Sequence, residues 1–576
     1  MAAPAAPPAA TPPRKPAAPW PEAVGRAVVR QIATEAYGAP GYALTLAYPK
    51  AGDFAATPRD FRPTDPGLGR AAAAGRFYFA GELLDAVAPA DPWGATPSRA
   101  FAVELHRFAW LPHLMASGDL GVKEALRLVG AWRRVYTNWS PFAWGREVLA
   151  RRVINLACAV RRLAQAGGGA ATPMLADLLA RQARHLSRIA AEPASGSAEA
   201  GAAVAIAGCA LAGRAGDQLM TQGLARLQRA LPRTLCPDGT HASRSPEAGL
   251  DLLFDCLILD DALLQRGREA PEALTRAIDR LSLALRAFTL GDGRLACFQG
   301  GEASTMARVA AAGAHEDPDA AIPEVLSDGG YHRLQGQMLQ VMVDAGAPTR
   351  GVFGASACAQ PLALEVVCGR DRLITNCGWS AREPDRQGFR LTPAGSTLSV
   401  GDASVLQPLE GRLAAILGPR LEGGPLHVEA NRQDGEGAVL LELKHDGWMR
   451  RFGFVHERSL YVDIRADELR GEDRLVPQGT PRGHGAPFAV RFHLHPDVQV
   501  SMARDRRSVL LRGPSGRGWW LRCDANDVAV EPSAWFENGV LRRASQIALR
   551  GVARNDTPTR VRWKVMPAGG GESPPV

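Results

Sequence analysis

The residues best suited to chemistry lie in one short loop, within CPDGTHASRSPEAGLDLLFD at residues 236–255. Ser245 can cap the helix that begins there, so His241, Arg244 and Glu247 stand where a loop enters a helix. A histidine can act as a general base or acid, an arginine can hold a substrate carboxylate, and a glutamate can orient either one. The spacing predicts catalytic roles for His241 and Arg244 and a substrate-binding role for Glu247. Glu247 can equally be a first-turn charge that favours the helix dipole.

Three carboxylates follow one another at helical spacing from this loop into the helix. Glu247, Asp251 and Asp255 stand at i, i+4 and i+8, which places them on one helix face. Glycoside hydrolases use two carboxylates across a cleft, so the stripe keeps open an α/α-type hydrolase. The alternative is a solvated polar stripe.

Groups typical of sugar binding are concentrated at residues 136–155. Flat aromatic rings can stack on sugars, and the planar fork of arginine suits a carboxylate. The predicted substrate-binding residues are Tyr136, Asn138, Trp139, Trp144 and Arg151, with further donors from Arg146, Arg152 and Asn155. The alternative is that the indoles belong to a helix–helix core and the arginines to the surface.

Two pairs of histidines have spacings compatible with metal ligation. His106 and His113 can share a helix face, and His493 and His495 alternate with apolar residues on a predicted strand. Neither pair has a third ligand that the sequence identifies, so we predict no metal and no other cofactor. His493 and His495 are expected to be half-exposed strand residues.

The composition argues against a disulfide-rich protein, a nucleic-acid-binding module and a membrane-spanning protein. The chain has 576 residues, a net charge of +8 and nine cysteines. The cysteines form no CxxC pair, which predicts buried free thiols and no disulfide framework. The positive charge is spread along the chain, which fits a solvated surface or attraction to a polyanion, and no nucleic-acid module is visible. No apolar run approaches the roughly 18 residues of a membrane span, and the N-terminus lacks the apolar stretch of a secretory signal.

The spacing of apolar residues along the chain changes near DGGYHRLQGQMLQVMV, residues 328–343. Before it apolar residues recur at three and four positions, and after it they alternate between frequent turn signals. This order predicts an α+β multidomain chain, with an α/α toroid or helical array followed by a large antiparallel β-sandwich. Strand candidates include 339–344, 449–455 and 487–494. The predicted segments are a disordered tail at 1–19, a loop-rich segment at 20–97, the helical domain at 98–322, the sandwich at 323–566 and a second tail at 567–576.

Several local strings resemble the heparinase II/III-like family of bacterial polysaccharide lyases. They span about residues 77 to 553 and are FAVELHRFAWLPHL, ARRVINL, PDGTHASRSPE, GDGRLACF, SDGGYHRLQ with VDAG, PLALEVVCGRDRLITNCG, RLTPAGSTLSV and VRFHLHPDV. The resemblance implies an α/α toroid followed by an antiparallel β-sandwich. It also implies cleavage of acidic, uronate-containing polysaccharides, such as glycosaminoglycans, by β-elimination.

This reaction needs a group that neutralises the uronate carboxylate, a base for the C5 proton and an acid for the departing oxygen. The resemblance assigns that work to His241 and Arg244, with Tyr331 and His332, or Tyr136 and Asn138, completing the site.

The chain also departs from the family pattern. Glu247 follows the Ser-Pro pair without the usual Tyr, and residues 197–211 lack the usual Asn. Ser356, Cys358, Asn376 and Gly395 stand where family members often carry His or Asp.

Three interpretations remain open from the sequence. The chain is a polysaccharide lyase with a rearranged site, a non-catalytic relative that binds an envelope polysaccharide, or an α/α-toroid glycoside hydrolase. The expected partner is an acidic polysaccharide, with no nucleic acid and no membrane span, and the oligomeric state is not indicated. The resemblance implies the periplasm or cell envelope, whereas the missing export signal leaves the cytoplasm as the alternative.

Overall fold

The computed structural model describes residues 19–86, 91–94, 96–189, 195–315, 320–380, 386–424, 426–478 and 485–569. The predicted tails fall almost wholly outside these ranges, so their disorder stays a prediction. No helix within the described ranges is long and apolar enough to cross a membrane.

The first half of the chain is helical. Its helices are α1 (Trp20–Gly38), α2 (Tyr42–Thr45), α3 (Pro66–Ala73), α4 (Arg99–His106), α5 (Leu111–Ala116), α6 (Asp119–Tyr136), α7 (Arg146–Gly167), α8 (Ala171–Ile189), α9 (Ser197–Ala210), α10 (Gly213–Thr234), α11 (Pro246–Gln265), α12 (Glu272–Phe288) and α13 (Met306–Gly313). A hairpin of β1 (Arg76–Phe79) and β2 (Glu82–Asp85) precedes α4. Two short helices, α14 (Gly411–Leu417) and α15 (Met449–Phe452), lie in the second half.

The helices form an inner and an outer layer. α9 and α11 are apolar around most of their circumference; α9 is buried on nearly every residue and α11 on most, as inner helices must be. α8, α10 and α12 are amphipathic and turn one face outward. Small residues let α9 and α10 approach closely, since a Cβ on Gly208 would lie 2.1 Å from Met220 N and one on Gly223 would lie 2.2 Å from Ala205 N. This arrangement is the α/α toroid.

The second half is antiparallel β structure. Its strands are β3 (Val325–Leu326), β4 (Tyr331–Gln335), β5 (Leu339–Asp344), β6 (Leu364–Cys368), β7 (Asp371–Thr375), β8 (Leu398–Val400), β9 (Gln407–Pro408), β10 (Leu421–Glu422), β11 (Val428–Asp434), β12 (Ala438–His445), β13 (Phe454–Asp463), β14 (Glu468–Pro477), β15 (Ala486–Leu494), β16 (Gln499–Met502), β17 (Ser508–Arg512), β18 (Gly518–Cys523), β19 (Asp527–Glu537), β20 (Val540–Ala553) and β21 (Thr559–Pro567). An eight-stranded sheet has the order β11-β12-β13-β14-β21-β18-β17-β16, and a nine-stranded sheet has the order β19-β20-β15-β7-β6-β5-β4-β3 with β8 beside β15.

The nine-stranded sheet is buried on both faces. Leu334, Val341 and Val366 pack with the eight-stranded sheet in the sandwich core. Tyr331 and Met342, on the opposite face, join the core of the helical layer instead. β6 and β7 are therefore buried at every residue, which a one-sided alternating pattern would not give. The nine-stranded sheet therefore packs against the eight-stranded sheet with one face and against the helices of the toroid with the other.

Of two strands predicted in the second half, one is wrong at its start and one is confirmed. Residues 449–455 begin as α15, which ends at Gly453 in the left-handed conformation (φ 78°) before β13 starts. The predicted strand 339–344 is confirmed as β5, and a further strand, β4, precedes it from Tyr331. Met338 lies in the following turn, where the Asp467 carboxylate accepts its backbone N–H at 3.1 Å.

Candidate functional site

The His241 loop is held between α10 and α11 against the inner helices. Ser245 caps α11 as predicted, accepting the N–H of Ala248 at 3.3 Å. The His241 ring is buried, and its Nδ1 lies 2.7 Å from Ser243 Oγ. Its Nε2 makes no hydrogen bond and faces Glu199 Oε1 at 3.8 Å. The structure thus pairs His241 with a carboxylate from α9.

Glu199 is a site residue that the sequence reasoning missed. Burial opposes its ionisation, but the adjacent His241 imidazole outweighs burial and lowers the pKa of the carboxyl. Its side chain keeps 19% exposure. The signal was a single acid in the first turn of the otherwise apolar, alanine-rich α9.

Arg244 binds protein groups with its whole guanidinium. Nε donates to Gly329 O at 2.6 Å, and Nη1 donates to the carbonyls of Gly346 and Ala347 at 3.1 Å each. Nη2 donates to Gly330 O and to the Asp344 carboxylate. A guanidinium has five N–H donors, so these five acceptors occupy all of them. Arg244, predicted as a catalytic group, therefore has no N–H donor left for a substrate in this structure.

Tyr331 and His332 do not face one site. Consecutive strand residues point to opposite faces of a sheet, and here Tyr331 faces the helices while His332 faces the sandwich side, near Arg432 and Asp434. Tyr331 Oη donates to Arg244 O at 2.6 Å, and burial raises the pKa of this phenol well above its ordinary value. Burial lowers the pKa of His332 to about 4. The structure therefore does not bring Tyr331 and His332 together at one site.

The acidic stripe of α11 faces the same region and is paired with arginines. Arg308 contacts both Asp251 and, at 3.7 Å, Glu247 Oε1, while Glu247 Oε2 accepts the N–H of Glu302 at 3.0 Å. Arg151 Nη1 binds Asp255 Oδ1 at 2.5 Å.

Asp255 is the most deeply buried carboxylate of this stripe. Burial raises the pKa of its carboxyl to about 6, against the opposing effect of Arg151. The shared face was predicted correctly, but the stripe is an ion-paired network rather than a solvated surface. Arg151, predicted to bind substrate, binds Asp255.

Two charged residues in the segment before α3 extend this ion-paired network. Arg62 binds Asp60 with two nitrogens, at 2.8 and 2.7 Å, and reaches Asn155 Oδ1 at 2.6 Å. Asn155 in turn donates to the carbonyl of Arg107 at 2.9 Å. The ionisable side chains of this polar cleft are Asp60, Arg62, Arg151, Glu199, His241, Glu247, Asp251, Asp255 and Arg308.

The predicted sugar-stacking residues lie apart from this polar cleft. Trp144 is buried in the helical core and donates to Tyr136 O at 3.0 Å, so its predicted stacking role is wrong and the core alternative is right. Tyr136 is half-buried and donates to Trp93 O at 3.2 Å. Trp139 is half-buried against Tyr37.

Asn138 is exposed, and Arg152 is fully buried, bound to Gln182 and two backbone carbonyls. None of these side chains forms, together with Trp144, an exposed surface on which a sugar could stack.

The two histidine pairs form hydrogen bonds within the folded protein. His493 and His495 are buried rather than half-exposed because β15 lies inside the two-sided sheet. His493 contacts Ser533 Oγ at 2.8 Å and Pro393 O at 3.0 Å. His106 accepts the indole N–H of Trp132, and His113 accepts the N–H of Asp65. Within the described ranges, no group of three or more His, Cys, Asp or Glu side chains could hold a metal ion.

A helical toroid seated on a two-sheet sandwich, with a polar cleft at the inner helices, defines the class of protein. A family model described as heparinase II/III-like, C-terminal, matches residues 319–564. Heparinase III has a similar structure, with a TM-score of 0.67 and 14% identity over 96% of this chain and 93% of that one. Heparan sulfate lyase HepC from Pedobacter heparinus gives a TM-score of 0.54 and 16% identity over 96% and 92%.

One relative is similar over nearly its whole sequence. FtsZ-localized protein C of Caulobacter vibrioides is 48% identical over 547 residues, which is 94% of each chain. The chain therefore belongs to the heparinase II/III-like family.

Proposed function

We propose that this protein is a non-catalytic member of the heparinase II/III-like family that acts by binding, in association with FtsZ. The observation that carries the proposal is the internal use of Arg244 and Tyr331. An arginine whose donors are all occupied does not neutralise a uronate carboxylate. A buried phenol that already donates to a backbone carbonyl does not protonate a departing glycosidic oxygen.

The charge of the polar cleft supports the same proposal. It holds the carboxylates of Asp60, Glu199, Glu247, Asp251 and Asp255 against the guanidiniums of Arg62, Arg151 and Arg308. The carboxylates outnumber the arginines, and each of these arginines is already paired. A polyanionic saccharide would meet an excess of carboxylates over guanidiniums, which opposes its binding.

FtsZ is proposed as the partner because FtsZ-localized protein C is 48% identical to this chain over 94% of its length. The proposal extends the property that the relative's name states to the present chain.

A candidate docking surface lies on α1. Trp20, Val24, Val28 and Ile32 recur every fourth residue and are 50%, 56%, 52% and 63% exposed. The opposite side of α1 is tied to the body, since Arg30 donates to the carbonyls of Ala415 and Ile416. A contiguous exposed apolar stripe is typical of a protein-interaction surface. We assign this α1 stripe to FtsZ.

The test is binding of the purified full chain to purified FtsZ by biolayer interferometry, with heparinase III as the control of similar fold. We expect saturable binding to this chain and none to heparinase III. The variant Val24→Ser/Val28→Ser should weaken binding about tenfold or more, because it removes apolar area at the centre of the contact. Leu120→Ser, at an 80% exposed apolar side chain elsewhere, is the matched control and should bind normally. Absence of binding by the wild-type chain would overturn the proposed partner.

A second candidate function is β-elimination on a uronate polysaccharide. Two observations favour it: membership of the family, and the buried His241 Nε2 that faces Glu199 without a hydrogen bond. In this case the His241–Glu199 pair would take the C5 proton. Cleavage that disappears in both His241→Ala and Glu199→Gln would establish this function in place of the binding role.

A further inference from the structure

The outer surface of the toroid has a cavity unrelated to the polar cleft. It lies between α8, α10 and the segment that follows α2, and its volume is about 470 Å³. Cavities that bind small molecules commonly have about 300–1,000 Å³. Its charged lining residues are Arg184, Arg188 and Arg226, and no acidic side chain lines it among the described residues.

Two of these arginines are held in place by uncharged oxygens. Arg184 donates through Nη1 to Leu46 O at 2.6 Å and through Nη2 to Pro49 O. Arg188 donates to Thr45 Oγ1 at 2.6 Å and to Thr45 O at 2.9 Å. Carbonyl and hydroxyl oxygens orient a guanidinium but do not neutralise its charge. The remaining N–H groups of these guanidiniums can donate to an anion.

The third arginine is bound to nothing in the described part of the chain. Arg226 is half-buried on α10 and forms no hydrogen bond or ion pair there. Burial lowers the pKa of its guanidinium, and neighbouring Arg229 lowers it further. An anion in the cavity would supply the counter-ion that Arg226 lacks there.

Two carboxylates on the same helices are ion-paired with arginines outside the lining, although Asp177 also acts electrostatically on Arg184. Asp177 on α8 pairs with Arg181 at 2.7 Å, and Asp217 on α10 pairs with Arg266 at 2.7 Å. Neutral donors complete the lining: Gln222 Oε1 accepts from Ser187 Oγ at 3.1 Å, which leaves the amide NH₂ of Gln222 unused by that contact. The cavity thus offers three positive charges and an amide donor to a ligand.

We propose that this arginine cavity is a binding site for a phosphate monoester or diphosphate group carried by a small soluble molecule. A dianionic phosphate has the charge to offset two guanidiniums, and its oxygens suit the planar donors of arginine. The cavity has room for a sugar or nucleoside attached to the phosphate. The site is independent of the polar cleft and of the proposed FtsZ role.

The test is isothermal titration of the full chain with pyrophosphate and glucose 1-phosphate, with glucuronate as the carboxylate comparison. We expect saturable binding of both phosphate compounds and none of glucuronate. Arg226→Gln should weaken binding about tenfold or more, as expected for one charge-assisted contact of a buried anion. Arg229→Gln is the matched control, because Arg229 is exposed on the same helix, changes the net charge equally and does not line the cavity.

Three results would overturn the proposal. They are no binding of either phosphate compound by the wild-type chain, equal weakening by Arg226→Gln and Arg229→Gln, or preferential binding of glucuronate. Arg188→Gln, at an exposed side chain, is the second variant and should weaken binding in the same direction. Circular dichroism of each variant checks that a loss of binding does not come from unfolding.

Discussion

Arg244 shows how one residue type supports two opposite roles. Its place in a loop before a helix suggested substrate binding, yet its guanidinium joins the loop to β4, β5 and the turns beside them. Its backbone is in the left-handed region (φ 63°), which a non-glycine residue adopts only when its surroundings fix it. The residue is a structural link between toroid and sandwich.

Arg244→Gln should therefore lower stability before it affects any binding. Removing one partner of a buried ion pair leaves the Asp344 carboxylate uncompensated, which typically costs about 3–5 kcal/mol. Urea unfolding followed by tryptophan fluorescence measures the loss. Arg474→Gln, at a cross-strand pair whose arginine is 41% exposed, is the control and should change the free energy of unfolding by about 1 kcal/mol or less. Equal effects of the two substitutions would refute the structural role.

Asp255 gives a prediction about pH. Burial raises the pKa of its carboxyl to about 6, above the value of about 3.9 for an unfolded chain. The folded state therefore binds the proton more tightly, and the contribution of Asp255 to stability is present below pH 4 and lost as the pH rises to 6. The difference in unfolding free energy between wild type and Asp255→Asn should change across this window and be constant above pH 7. A difference independent of pH would contradict the raised pKa.

The loop between α10 and α11 is the element that places His241. Gly239 has a positive φ of 85°, and a Cβ there would lie 1.9 Å from Arg280 O on α12. The turn can therefore hold only glycine, for reasons of both conformation and space. The close approach to α12 fixes where the loop lies against the inner helices.

Gly239→Ala should destabilise the protein far more than Gly267→Ala. Gly267 also has a positive φ, of 61°, but nothing lies within 4 Å of its would-be Cβ. Its substitution costs only the left-handed strain of about 1–2 kcal/mol, whereas Gly239→Ala must also displace the backbone of α12. Thermal unfolding of both variants tests this. Similar losses would mean that the contact with Arg280 is not limiting.

The sequence predicts helices, strands and caps better than it predicts contacts between residues that are distant along the chain. The helix-to-strand change, the Ser245 cap and the shared face of Glu247 and Asp255 follow from local spacing, and the structure confirms them. The partners of His241 and Arg244 are 42 and 100 residues away along the chain, at Glu199 and Asp344. Spacing carries no information about such contacts, so free catalytic groups and internally bound ones look alike.

At the scale of the whole molecule, the nine-stranded sheet couples the two halves. Arg372 on β7 is buried, and it binds Asp292 from the loop after α12 at 2.8 Å and Glu365 on β6 at 2.8 Å. With Arg244 it forms a second buried ionic link between toroid and sandwich. We expect the halves to unfold together.

Arg372→Met should weaken this coupling. It leaves the buried Glu365 carboxylate and the partly buried Asp292 carboxylate without their counter-charge, at a cost of about 3–5 kcal/mol. Differential scanning calorimetry should show one transition for the wild-type chain and a lower, broader or divided transition for the variant. An unchanged single transition would show that apolar contacts alone couple the halves.

We propose above that a lyase fold here serves binding without β-elimination. The most direct test is ultraviolet absorbance during incubation with heparan sulfate, hyaluronan, alginate and glucuronan, with heparinase III on heparan sulfate as the positive control. β-Elimination creates a C4–C5 double bond that absorbs there, whereas hydrolysis or binding does not. We predict a flat trace from the folded chain on every substrate. A rise that is abolished by His241→Ala and Glu199→Gln would contradict the account.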